Sequence, residues 1–114
     1  MCFKEINLRS VTPDGAVTEI MYEIATCRAD GVELIRFNIS LSNSFDNMEV
    51  RKILPNVIRT LKNMKQKRSI QFIATPESFE NKSTESRFLS NKYPHLFESI
   101  PVVKEDESFI FVKL

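Results

Sequence analysis

Apolar residues recur three and four apart at Val50, Ile53, Leu54, Val57, Ile58, Leu61 and Met64, the spacing that lines one side of an α-helix. Asp46 or Asn47 stands where a cap for that helix is needed. Pro55 falls inside the periodicity, where it removes a backbone donor and crowds the preceding turn, so the pattern predicts a kink or a short first turn before it. Ser69 to Thr75 then reads as a strand, ended by Pro76.

Upstream, Phe3 to Arg9 reads as a short strand in which Ile6 and Leu8 share one face and Glu5, Asn7 and Arg9 the other. Thr12-Pro13-Asp14 supplies an N-cap, a proline at the first helical position and an early acid, so a helix starts there. Its apolar stripe is Ala16, Val17, Ile20, Met21, Ile24 and Cys27, it runs to about Asp30, and Gly31 suits the left-handed residue that follows a helix. Val32 to Ile39 is a second strand, Ile35, Phe37 and Ile39 alternating with Leu34, Arg36 and Asn38, and Ser40 to Asp46 is a polar loop. Ser83-Thr84-Glu85 opens a shorter helix through Asn91, with Phe88 and Leu89 facing inward and Tyr93-Pro94 stopping it. Lys104 to Glu107 is a charged turn. Ser108 to Val112 is a nearly continuous apolar run, the mark of a strand covered on both faces and so central in its sheet.

Strands joined to the next strand through a helix make parallel crossover units, so the fold class is α/β. With 114 residues the chain is one domain, 1–114, long enough to bury roughly two-thirds of the surface its unfolded form exposes. The 42% apolar and 27% charged fractions are those of an ordinary globular domain. Cys2 and Cys27 match no metal-ligand spacing and read as free thiols of a reducing compartment. The N-terminus has no secretory pattern and no apolar run reaches membrane-spanning length, so the expectation is a cytoplasmic protein with no membrane partner.

Charge changes the picture more than composition does. Arg51, Lys52, Arg59, Lys62, Lys65, Lys67 and Arg68 lie between Glu49 and Glu77 without a carboxylate among them. Set against a net charge of +1 for the whole chain, these seven leave the remainder at −6. Part of this is the ordinary placement of cations at a helix C-terminus, but Arg51 and Lys52 stand near the N-terminus, where positive charge needs an anion to answer it.

The element order resembles the Smr (small MutS-related) domain family over about Lys4 to Leu114. The resemblance rests on Thr12-Pro13-Asp14-Gly15-Ala16 opening the first helix and Gly31-Val32-Glu33-Leu34-Ile35-Arg36-Phe37 entering the second strand. It continues with Val50-Arg51-Lys52-Ile53 in the next helix and Phe109-Ile110-Phe111-Val112 at the close. It implies a two-layer α/β sandwich, βαβαβ(α)β, with a mixed four-stranded sheet of order 1-2-4-3 and an antiparallel last strand. It also implies nucleic-acid binding and, in some members, nicking endonuclease activity. Where the family carries Leu-Asp-x-His-Gly, this chain has Ile6-Asn7-Leu8-Arg9-Ser10; where it carries His-Gly-x-Gly, this chain has Ile39-Ser40-Leu41-Ser42. The acid, imidazoles and glycines are replaced.

The chain accordingly reads as a degenerate, non-catalytic member. His95 is the only histidine, far in sequence from the expected site, and there is no nucleophile with a partner base, no metal spacing and no phosphate loop. Glu77 and Glu80, after the third strand, are the nearest carboxylates and read as loop acids. No cofactor or metal is expected. The candidate surface for RNA or DNA is the rim above the C-terminal strand ends: Arg9, Ser10, Asn38, Ser40, Ser42, Asn43, Arg51 and Lys52. The competing expectation is a protein-interaction module, a homodimer through an open sheet face bearing Phe109, Phe111, Phe37, Phe72, Leu34 and Ile73. Against it stands the equal expectation that the last helix and Tyr93 to Val103 fold over that face.

Overall fold

The Thr-Pro-acid start at residues 12–14 does form a helix. In the computed structural model, which describes residues 3–9, 12–40, 52–97 and 107–114, α1 spans Pro13–Ala29 and the Thr12 hydroxyl accepts the Gly15 N–H at 3.2 Å. At the other end Gly31 adopts φ 76°, which a residue without Cβ reaches without steric cost. That turn lets the Val32 N–H donate to the Cys27 carbonyl at 2.9 Å and directs the chain into β2.

The strands are β1 (Phe3–Asn7), β2 (Leu34–Ser40), β3 (Phe72–Ala74) and β4 (Glu107–Lys113), in the order β1-β2-β4-β3. β1 pairs parallel with β2, from Phe3 opposite Leu34 to Asn7 opposite Asn38. β4 lies antiparallel between β2 and β3, with Leu34 opposite Lys113, Ser40 opposite Glu107 and Ala74 opposite Phe111. The mixed sheet and the central antiparallel strand are those expected. Observed β1, β2 and β3 are shorter than, or shifted from, the ranges read from alternation, most of all β3, where the run from Ser69 to Thr75 pairs only at three residues.

One face of the sheet carries α1 and α2 (Ile53–Gln66). Ile35, Phe37, Ile39, Ile110 and Val112 pack there against Ala16, Ile20, Ile24 and Cys27 of α1 and Ile53, Val57 and Leu61 of α2. Pro55 is the third residue of α2, in the first turn, where backbone N–H groups lack a partner within the helix and its missing donor costs little. The region of the expected cap, Asp46 or Asn47, lies outside the described residues, as do Val50 and residues 104–106 of the charged turn. Met21, read as part of the buried stripe, is 51% exposed, because Ala16, Ile20, Ile24 and Cys27 already fill the contact with the sheet and α2.

The opposite face is covered by two short helices. α3 (Pro76–Glu80) was not anticipated: Pro76 does not just end β3 but opens this helix, with the Thr75 N–H donating to the Ser78 Oγ at 3.1 Å. α4 (Thr84–Lys92) starts as expected, Ser83 Oγ accepting the Ser86 N–H at 3.2 Å. Together with Tyr93, Leu96 and Phe97 these helices enclose Leu34, Ala74, Phe109 and Phe111. Leu89 is fully buried, but Phe88 is turned outward, edge-on to Phe72 at 5.5 Å. Of the apolar residues expected to form an open dimer face, Leu34, Phe37, Phe109 and Phe111 are buried within the chain, and only Phe72 and Ile73 remain half-buried. The expected cover over that face is the arrangement found as far as Phe97; residues 98–103 of the expected covering segment lie outside the described residues.

Candidate nucleic-acid interface

β1 and β2 end side by side, which brings part of the anticipated rim together. Arg9 follows β1, and its backbone N–H donates to the Glu19 carboxylate of α1 at 3.2 and 3.4 Å, so an acid stands at this edge beside the arginine. Ser40 closes β2 opposite Glu107. Lys52 occupies the N-cap position of α2 in helical conformation, and its carbonyl accepts both the Asn56 N–H at 3.2 Å and the Asn56 amide at 2.7 Å. Because α2 must run back across the sheet before β3 can lie parallel to β2, Lys52 returns toward the edge where β2 ends. Ser10, Ser42, Asn43 and Arg51 lie outside the described residues.

Asn38 is differently occupied. Its side chain points to the sheet face away from α1 and α2, where its amide donates to Glu5 Oε1 at 2.8 Å and Asn7 Oδ1 at 2.9 Å. Its carbonyl accepts Arg36 Nε at 2.8 Å, and the Arg36 guanidinium rests 4.8 Å from the Phe109 ring centre. Both N–H groups and the carbonyl oxygen of the Asn38 amide are engaged, so its role in the fold is to join β1 and β2 on the polar half of that face.

The larger electropositive feature is the outer side of α2. The residues that bury Ile53, Val57 and Leu61 against the sheet leave Lys52, Arg59 and Lys62, spaced seven and three apart, on the outward stripe. Lys65 flanks it, and Lys67 and Arg68 extend it past the helix C-terminus; all six side chains are exposed. Arg28, from the last turn of α1, donates to the Ser69 carbonyl and adds a cation beside that end. From Lys52 to Pro76 the sequence has no carboxylate, whereas α1 and its caps carry Asp14, Glu19, Glu23 and Asp30. The helical layer is therefore divided into an acidic and a basic half.

A cleft of about 380 Å³ opens beside the basic half, between α2 and the α3–α4 pair. Ile58 and Ile73 line it with Lys62 and Lys65 from α2, Glu77 and Asn81 from α3 and its end, and Glu85 from α4. Lys65 Nζ stands 3.7 Å from Glu85 Oε1, the lysine exposed and the glutamate half-buried. The sequence carried a signal for this cleft in Thr75-Pro76-Glu77, the same signature as Thr12-Pro13-Asp14, since α3 and its end supply Glu77, Ser78 and Asn81 to the far wall.

Elsewhere the described residues offer little reactive chemistry. No group of three or more His, Cys, Asp or Glu among them could hold a metal ion. His95 is exposed in the turn after α4. Cys27 is buried, and burial pushes its thiol above the ordinary 9.0, the reverse of what a nucleophilic thiolate requires. Lys113 is also buried, which lowers its ammonium below 10.5, with Lys92 adding to the effect; its Nζ donates to the Leu114 carbonyl at 3.0 Å. No helix among the described residues is long and apolar enough to cross a membrane. Comparison with known protein families, with curated proteins and with solved structures found no match for this chain.

Proposed function

We propose that this chain is a non-catalytic, Smr-like domain of the cytoplasm that holds the sugar-phosphate backbone of RNA or DNA along the outer face of α2. The observation that carries the reading is the exposed stripe of Lys52, Arg59 and Lys62, continued by Lys67 and Arg68, with no carboxylate within the same stretch. Lys and Arg on such a face release the counterions condensed on a polyanion, which supplies affinity without base-specific contacts. A 14-residue helix extends about 21 Å, enough to follow several successive phosphates. Arg9 and Lys52 extend the contact toward the edge where the parallel strands end. The acidic half formed by α1 lies beside the basic one in the same helical layer and, by repelling the polyanion, orients the approach.

Fluorescence anisotropy of labelled duplex and single-stranded oligonucleotides, titrated with the protein at a series of salt concentrations, tests this reading. Binding at low salt that weakens linearly on a log–log scale supports it. The absence of binding at low salt, or an affinity independent of salt, sinks it.

A further inference from the structure

We propose that the cleft between α2 and the α3–α4 pair receives a single ribonucleotide unit, a ribonucleoside 5′-monophosphate either free or at the end of an RNA strand. The proposal deepens the backbone-binding reading of α2, on which it rests only for what delivers an RNA end to the cleft. Its volume of about 380 Å³ lies within the range of roughly 300–1,000 Å³ typical of small-molecule sites.

The chemistry of the lining selects the ligand class. Ile58 and Ile73, both half-buried, form an apolar surface against which a flat base can lie. Lys62 has no side-chain partner among the described residues, and Lys65, itself exposed, is held only by Glu85 at 3.7 Å, a long pairing of the weak kind that a phosphate dianion displaces. Glu77 and Asn81 are likewise without side-chain partners among the described residues. By contrast, the hydroxyls of Thr75 and Ser78 engage each other at 3.3 Å and Ser83 caps α4, so these are already used by the fold.

A simple anion does not match this set, because two lysines face two glutamates and the cleft as a whole is neutral at pH 7. The complement must bring a negative group for the lysines, paired hydroxyl donors for an ionised carboxylate and an apolar plate for the isoleucines. A ribonucleotide has all three: its phosphate meets Lys62 and Lys65, its 2′,3′-diol donates to Glu77, and its base covers Ile58 and Ile73 with an edge toward Asn81. A deoxynucleotide lacks one of the diol donors, which gives the cleft a means of telling RNA from DNA.

Amide NMR titration of the full chain with AMP and with 2′-deoxy-AMP tests the proposal, beside anisotropy with an oligoribonucleotide carrying a 5′-phosphate and the same oligomer without it. The expected result is shifts centred on Ile58, Ile73 and Asn81, with AMP binding about tenfold tighter than its deoxy counterpart, since a hydrogen bond to a charged group is at stake. Glu77→Gln, at an exposed position whose folding is checked by its Tm, should erase that difference while leaving oligonucleotide binding to α2 unchanged or slightly stronger. Equal affinity for AMP and deoxy-AMP, or no shift at the cleft while oligonucleotides still bind, overturns the ribonucleotide site and leaves the α2 reading standing. AMP binding without oligonucleotide binding supports the cleft and overturns the α2 reading. A preference for the 5′-phosphorylated oligomer identifies the strand end as the source of the ligand; AMP binding with no such preference identifies the free nucleotide.

Discussion

Replacing Arg59, Lys62 and Lys67 together by Gln removes half of the six cations on and after α2 while keeping residues that suit a helix. All three are exposed, so stability should stay within about 0.5 kcal/mol per site. With Lys65 partly engaged by Glu85, we take about four phosphates as neutralised, Arg59, Lys62 and Lys67 among their partners, and the slope of log affinity against log salt for duplex DNA is then roughly −3.6. Between 50 and 200 mM salt that slope lowers affinity about 150-fold; with three contacts removed the slope becomes roughly −0.9 and the loss only about threefold to fourfold. The control is Lys82→Gln, Arg87→Gln and Lys92→Gln, which changes net charge equally but lies on and before α4. Anisotropy titrations over the salt series separate the two triples. If both reduce the slope alike, net charge and not the α2 face governs binding; if neither does, the six cations are not the contact.

The remaining predictions concern the scaffold. Leu61→Ala empties a fully buried position between α2 and the sheet and should lower stability by about 2–5 kcal/mol in denaturant unfolding, with a loss below 1 kcal/mol contradicting the packing described. Ser78→Ala leaves the Thr75 N–H without its acceptor and should cost about 0.5–1.5 kcal/mol, with amide exchange faster in 75–80 than elsewhere; uniform exchange would show that α3 does not depend on this cap. Cys27 and Lys113 titrate with opposite consequences. The thiol pKa is raised by burial, so above 9.0 the unfolded chain releases a proton that the folded chain keeps, and stability falls as pH rises toward the folded value. The ammonium pKa is lowered by burial, so below 10.5 the unfolded chain holds a proton that the folded chain has lost, and stability rises with pH through that interval. Denaturant midpoints between pH 8 and 11 should therefore fall less steeply in Cys27→Ala and more steeply in Lys113→Met than in the parent chain; the reverse ordering would show that burial shifts neither group.

What could be read from sequence was whatever rests on local periodicity. Ala16, Ile20, Ile24 and Cys27 repeat at helical spacing and are buried, and the apolar run of β4 is central because both of its faces are covered. The strand order followed from a family resemblance and not from periodicity, since register between distant strands leaves no local trace. The misreadings share a cause. Pro76 reads as a stop, yet a proline closes a strand and opens a helix with equal ease, and Thr75 with Glu77 favours the second. Phe88 and Met21 are apolar but lie at the outer margin of their helices, and a margin is set by what packs alongside, which is not encoded at the position itself. Of the rim, Asn38 shows the same lesson for polar groups: alternation placed it correctly beside Arg36, but only the pairing of β1 with β2 brings Glu5 and Asn7 to its amide.

The placement of β4 between β2 and β3 has a kinetic side. While the chain emerges from a ribosome, β1-α1-β2 and α2-β3 are complete before residues 107–113 exist, yet neither half can pair with the other until they arrive. Joining them means closing loops over the long separation between Ala74 and Phe111 and the still longer one between Leu34 and Lys113, contacts of the kind that slow folding, and until β4 arrives the growing polypeptide holds a β1–β2 pair and a lone β3 with unfilled edges.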